Sequence, residues 1–113
     1  MENAIYLLYN EYDYQGETGT ECLVPYKNES MAILGLTNRI LNLSFMGFNL
    51  DLYEKEIYTN NCGFNKDLVS EKLQKHETVS FCFLKENEEE WVTVNLVKLP
   101  VDSNIVTQKD LGE

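Results

Sequence analysis

The chain has 113 residues, 43% of them hydrophobic and 25% charged, and its 19 acidic side chains against nine basic ones leave a formal charge of −10. That composition predicts one globular domain, large enough to bury a core without staples. The charge excludes unaided binding to nucleic acid or an anionic membrane as a first expectation and favours a basic protein partner.

No apolar run approaches the roughly 20 residues that span a bilayer. Residues 1–20 lack a basic segment followed by an apolar one, so a cytoplasmic protein is expected. Cys22, Cys62 and Cys82 form no CxxC pair and leave one cysteine over, which fits free thiols in a reducing compartment.

In chain order, Ala4 to Tyr14 predicts a strand. Alternation puts Ile5, Leu7, Tyr9, Glu11 and Asp13 on one face and Tyr6, Leu8, Asn10, Tyr12 and Tyr14 on the other. The odd face reads as starting in the core and ending in solvent. Residues 15–20, with Gly16 and Gly19, predict a loop into a second strand, Glu21 to Tyr26, which Pro25 either places at a sheet edge or ends. Asn28 caps a helix to about Leu43 with a buried stripe of Ile33, Leu36, Ile40 and Leu41. Gly35 costs that helix about 1 kcal/mol relative to Ala and permits close packing on the sheet.

Gly47 ends the helix, and Leu50 to Tyr58 predicts a third strand. Residues 60–63 read as a turn, after which Asn65 caps a second helix, Lys66 to about Lys75. Phe64 and Val69 stand at staple positions there, and Glu71 and Lys75 form an i,i+4 pair. Two strands follow, Thr78 to Lys85 and Trp91 to Leu99, joined by the acidic turn 86–90. Val79, Phe81 and Phe83 share one face of the first, and Val92, Val94 and Leu96 share one face of the second. The order ββαβαββ predicts a two-layer α+β domain over residues 1–100, a mostly antiparallel sheet with both helices on one face, and a loose tail over 101–113.

Two constellations stand out as candidate partner-binding surfaces. Glu11, Asp13 and Glu17 interleave with Tyr12 and Tyr14, and tyrosines supply contact area while acids pair with Lys or Arg across an interface. Glu86, Glu88, Glu89 and Glu90 precede Trp91, an anchor expected to pack with Tyr12 and Tyr14 at the centre of one interface. The bland alternative for the first is a solvated hairpin end, and for the second a charged turn that protects a hairpin from edge aggregation.

No catalytic or metal-binding set emerges. The acidic turn lacks the ligand spacing and turn glycine of a calcium loop. His76, the only histidine, reads as a helix C-terminal cation favoured by the dipole, and one histidine cannot build a multi-histidine metal site. Cys62, in a polar turn, is the most exposed candidate thiol, without an identifiable base. Gly16 and Gly19 do not have phosphate-loop spacing. No cofactor and no enzymatic activity are expected. Residues 1–30 hold six acids against one lysine, whereas Lys66, Lys72 and Lys75 make the second helix modestly basic.

The opening Ile5-Tyr-Leu-Leu-Tyr-Asn-Glu-Tyr-Asp-Tyr14, its glycine-containing turn and the strand after it resemble a group of small bacterial and phage proteins. These open with a similar Tyr-Leu-x-x-Glu-Tyr strand, a hairpin and a helix. The resemblance covers about the first 58 residues, through Gly47 to Tyr53, and the second hairpin departs from it. It implies a setting in which small acidic proteins act as inhibitors: immunity proteins against a nuclease toxin, or phage proteins of anti-CRISPR type that block a defence nuclease. The leading expectation is therefore a non-enzymatic inhibitor of a basic nuclease, toxin or defence effector. The alternative is a small regulatory or ligand-binding α+β domain acting as a homodimer.

Overall fold

A computed structural model describes residues 4–52, 58–59, 63–85 and 89–100. In chain order the elements are β1 (Ala4–Tyr14), β2 (Glu17–Tyr26), α1 (Glu29–Phe45), β3 (Asn49–Leu52), β4 (Tyr58–Thr59), β5 (Gly63–Phe64), α2 (Lys66–Gln74), β6 (Val79–Lys85) and β7 (Glu90–Pro100). Five strands form one antiparallel sheet in the order β2-β1-β7-β6-β3, and β4 pairs with β5 in a separate two-stranded ribbon. The α+β architecture stands as predicted, with that ribbon added to the expected ββαβαββ order.

β1 and β7 lie side by side in unbroken register, from Ala4 opposite Pro100 to Tyr14 opposite Glu90. Across this pair one sheet face carries Tyr6, Leu8, Val92, Val94 and Leu96, joined by Val79, Phe81 and Phe83 of β6, all buried. Both helices pack on this face: Ala32, Ile33, Leu36, Ile40 and Leu43 of α1 and Val69 and Leu73 of α2 belong to the same core. The core face of β1 is thus the even one, Tyr6 to Tyr14, and not the odd one. Ile5, Leu7 and Tyr9 are only half-buried, on the outer face. Both faces of β1 carry apolar residues near its start, so periodicity alone could not choose between them.

Helix α1 ends two residues beyond the expected Leu43, and Leu41 is half-buried while Ala32 and Leu43 complete the stripe. Its N-cap, Asn28, accepts from the Met31 amide at 3.2 Å. Its exit is a Schellman turn: Gly47 has φ +92, its amide donates to Ser44 O, and the Phe48 amide donates to Leu43 O. Phe48 is then buried in the core, with the Lys85 ammonium 5.6 Å from its ring centroid. Asn65 caps α2, accepting from the Asp67 and Leu68 amides. That helix ends in the same motif with His76 in the left-handed position, φ +60, where Gly is usual. The histidine therefore closes the exit turn, just beyond the last helical residue, and its Nδ1 donates to Lys98 O at 3.0 Å.

Three further expectations change. β2 begins at Glu17, so the loop of residues 15–20 shrinks to the two-residue turn Gln15-Gly16. Both residues have positive φ, +57 and +98, as a type I′ hairpin turn requires. Gly19 lies within the strand because the Tyr12 ring crosses it: a Cβ there would stand 2.6 Å from the Tyr12 hydroxyl oxygen. The third strand is shorter than Leu50 to Tyr58. It covers Asn49–Leu52, residues 53–57 lie outside the described residues, and Tyr58–Thr59 belongs to the ribbon. Gly63, expected in a turn, is in β5, while Asn60, Asn61 and Cys62 lie outside the described residues, as does the tail 101–113.

Candidate functional site

The register brings Glu11, Asp13 and Glu17 to the same end of the sheet as Glu90 and Trp91. Successive cross-strand rows run Glu17-Tyr14-Glu90-Lys85, Thr18-Asp13-Trp91-Leu84, Gly19-Tyr12-Val92-Phe83 and Thr20-Glu11-Thr93-Cys82. Glu11, Asp13 and Glu17, far from residues 89–91 in sequence, become their neighbours because β7 returns antiparallel to β1. Sequence reasoning named both segments, but which residues face each other depends on strand order, a non-local property. Glu86 and Glu88 lie outside the described residues; Glu89 is exposed with φ +50 in the turn.

Alternation divides this end between the two faces. On the helix side, Tyr12 and Tyr14 stack with ring centroids 4.7 Å apart and planes 10° apart. Around them are Glu17, Glu21 and Glu90. The Tyr14 hydroxyl donates to Glu21 Oε1 at 2.7 Å. Burial, followed by the hydrogen bond and charge of Glu21 and the charge of Glu90, holds the Tyr14 phenol well above its ordinary range. On the outer side stand Glu11, Asp13 and Trp91, the last 38% exposed. Trp91 therefore does not share a surface with Tyr12 and Tyr14, contrary to the expectation of one aromatic centre.

Several of the acids have structural partners. Asp13 Oδ1 accepts from the Gly16 amide at 2.9 Å and so braces the hairpin turn. Glu11 is held by a chain across the outer face: Ser80 Oγ donates to Asn95 Oδ1 at 2.6 Å, and Asn95 Nδ2 donates to Glu11 Oε1 at 2.8 Å. Asn95 is almost wholly buried in the middle of the sheet. Nothing in the sequence marked it, because its partners come from two other strands, β1 and β6, whose adjacency is not local. Glu17 and Glu89 carry none of these bonds and are exposed.

The helix side holds two more polar residues that sequence reasoning missed. Asn10 accepts from Arg39 Nη1 at 3.4 Å, tying α1 to β1. Lys98 lies buried under α2, its Nζ donating to Gln74 Oε1 at 2.8 Å and lying 6.0 Å from the Tyr6 ring centroid. Its long stem covers core while its head finds polar partners. Elsewhere, a groove of about 540 Å³ lies between the helix starts, with Met31 and Leu34 on one wall and Lys66, Asp67 and Ser70 on the other. Glu29 bridges it, accepting from Ser70 Oγ and Gln74 Nε2.

Among the described residues no cluster of His, Cys, Asp and Glu is arranged to hold a metal ion. Cys22 is exposed and Cys82 half-buried. No helix of the described residues is long and apolar enough to cross a membrane. No family model, curated protein or solved structure matches this chain.

Proposed function

We propose that this chain is a non-enzymatic acidic interaction protein that docks on a basic protein and blocks it, in the manner of an immunity or anti-defence inhibitor of a nuclease, toxin or defence effector. The observation that carries the reading is the convergence of Glu17, Glu21 and Glu90 at one sheet end, around the Tyr12–Tyr14 stack. Stacked tyrosines offer rigid contact area at low entropic cost, and the flanking carboxylates steer a basic surface toward it. Glu11, Asp13 and Trp91 add charge and area on the opposite side. The test is capture from the native host at low and high salt, followed by mass spectrometry. Supporting this reading, the wild-type chain retains a basic protein at low salt that a Glu17→Lys/Glu89→Lys variant loses, while Lys66→Glu on α2 changes nothing. Equal retention by all three would overturn it.

A second reading, a homodimer, rests on a different observation. Among the described residues no helix covers the outer sheet face, where Ile5 pairs with Leu99 and Leu7 with Val97. Leu99 and Leu23 are exposed, and this apolar half lies away from the acids, so two copies packed with opposed strand directions would keep their charged ends apart. Sedimentation of the purified chain decides: a monomer at tens of micromolar removes this reading.

A further inference from the structure

The β2 edge of the sheet is divided into two unlike halves. From Cys22 onward it carries devices that prevent strand pairing. A bulge puts Cys22 and Leu23 opposite Tyr9 alone, Cys22 has φ +56, and Pro25 has no amide hydrogen. From Glu17 to Glu21 there is none of these, and the segment runs in unbroken register with β1. The two-residue turn makes Tyr14 and Glu17 a mutually hydrogen-bonded pair, so alternation aims the amides of Glu17, Gly19 and Glu21 at β1. The amides and carbonyls of Thr18 and Thr20 therefore point outward from the sheet.

Among the described residues only charge guards this half. Glu17 and Glu21 lie on one face with Gly19 between them, beneath the Tyr12 ring. A second copy pairing antiparallel about Gly19 would set Glu17 directly against Glu21 of its mate, which like charges oppose. An extended segment bearing Lys or Arg at alternate positions meets the reverse situation: its cations face Glu17 and Glu21, and its middle residue lies beside the Tyr12 ring that covers Gly19. We infer that Glu17–Glu21 of β2 is a strand-addition site for an extended basic segment of a protein partner. This inference rests on the proposed docking role of the acidic sheet end and specifies how the partner is held: four backbone hydrogen bonds from Thr18 and Thr20, with the carboxylates setting specificity.

The probe is a synthetic decapeptide of alternating Lys and Thr, with a control of the same charge in which central prolines prevent a strand. On binding the full chain, the alternating peptide slows amide exchange at Thr18 and Thr20 above all others and binds at least tenfold tighter than the proline control. A Thr18→Pro/Thr20→Pro variant loses no inward hydrogen bond, keeps its circular dichroism and binds the alternating peptide at least tenfold more weakly. Equal affinity for the two peptides, or slowed exchange confined elsewhere, overturns strand addition, and the exchange measurement on the wild-type chain stands even if the proline variant fails to fold. If Glu17→Lys abolishes binding while the prolines do not, strand addition falls and the acidic docking surface remains. If neither matters, both fall.

Discussion

Substituting Gly35 by Ala sets two effects of known size against each other. In the interior of α1 the change favours the helix by about 1 kcal/mol. A Cβ at that position, however, would overlap the Tyr26 hydroxyl oxygen and stand 2.7 Å from its Cζ. Ordinary contact begins near 3.4 Å, so the half-buried ring must shift by about 1 Å, and overpacking of this kind costs about 1–3 kcal/mol. The net expectation is destabilisation by about 1 kcal/mol. In a Tyr26→Ala background the obstacle is gone and the same change should stabilise by about 1 kcal/mol. Urea midpoints of the four proteins in the cycle give the coupling, expected at about 2 kcal/mol. If Gly35→Ala stabilises both backgrounds equally, α1 does not rest on the edge strand as described.

Two further perturbations test the sheet end. Asn95→Asp should place a second carboxylate beside Glu11 and cost about 2 kcal/mol at neutral pH. Because the paired carboxylates favour sharing a proton, that loss should shrink as pH falls through the carboxylate range; a pH-independent loss would count against the Asn95–Glu11 bond. Tyr14 ionises later when folded than when unfolded, since burial and Glu21 disfavour its anion. Its contribution is complete while the phenol is neutral in both states, below about pH 10, and is lost as pH rises from there through the folded value. Tyr14→Phe should therefore lose less stability than the wild-type chain between pH 9 and 11, read from urea titrations at both pH values.

Local signals in the sequence reached most of the elements. Asn28 and Asn65 cap the helices because their side chains satisfy first-turn amides, and Gly47 exits α1 because a left-handed residue is needed there. Pro25 marked β2 as an edge, and Gly35 marked a close approach. The failures had equally specific causes. The two faces of β1 carry similar apolar residues, so only packing against α1 and α2 chose the even one. Gly16 and Gly19 looked like one loop, although the first closes a tight turn and the second makes room for Tyr12. The His76 bond to Lys98, Lys98 under α2 and Asn95 bridging to Glu11 all depend on partners brought near by strand order. The candidate site was legible as two acidic stretches, but the register that sets Glu11, Asp13 and Glu17 at the same sheet end as Glu90, with Trp91 on the far side from Tyr12 and Tyr14, follows only from the pairing of β1 with β7.

The most direct measurement is the affinity of the purified chain for its captured partner as a function of salt, with Glu17 and Glu89 intact or reversed to Lys. Steering by the acidic sheet end predicts an affinity that falls steeply with ionic strength and, at low salt, a loss of at least tenfold on reversal, about 1.4 kcal/mol, with a shallower salt slope for the variant. An affinity that neither salt nor the reversal changes would contradict the account.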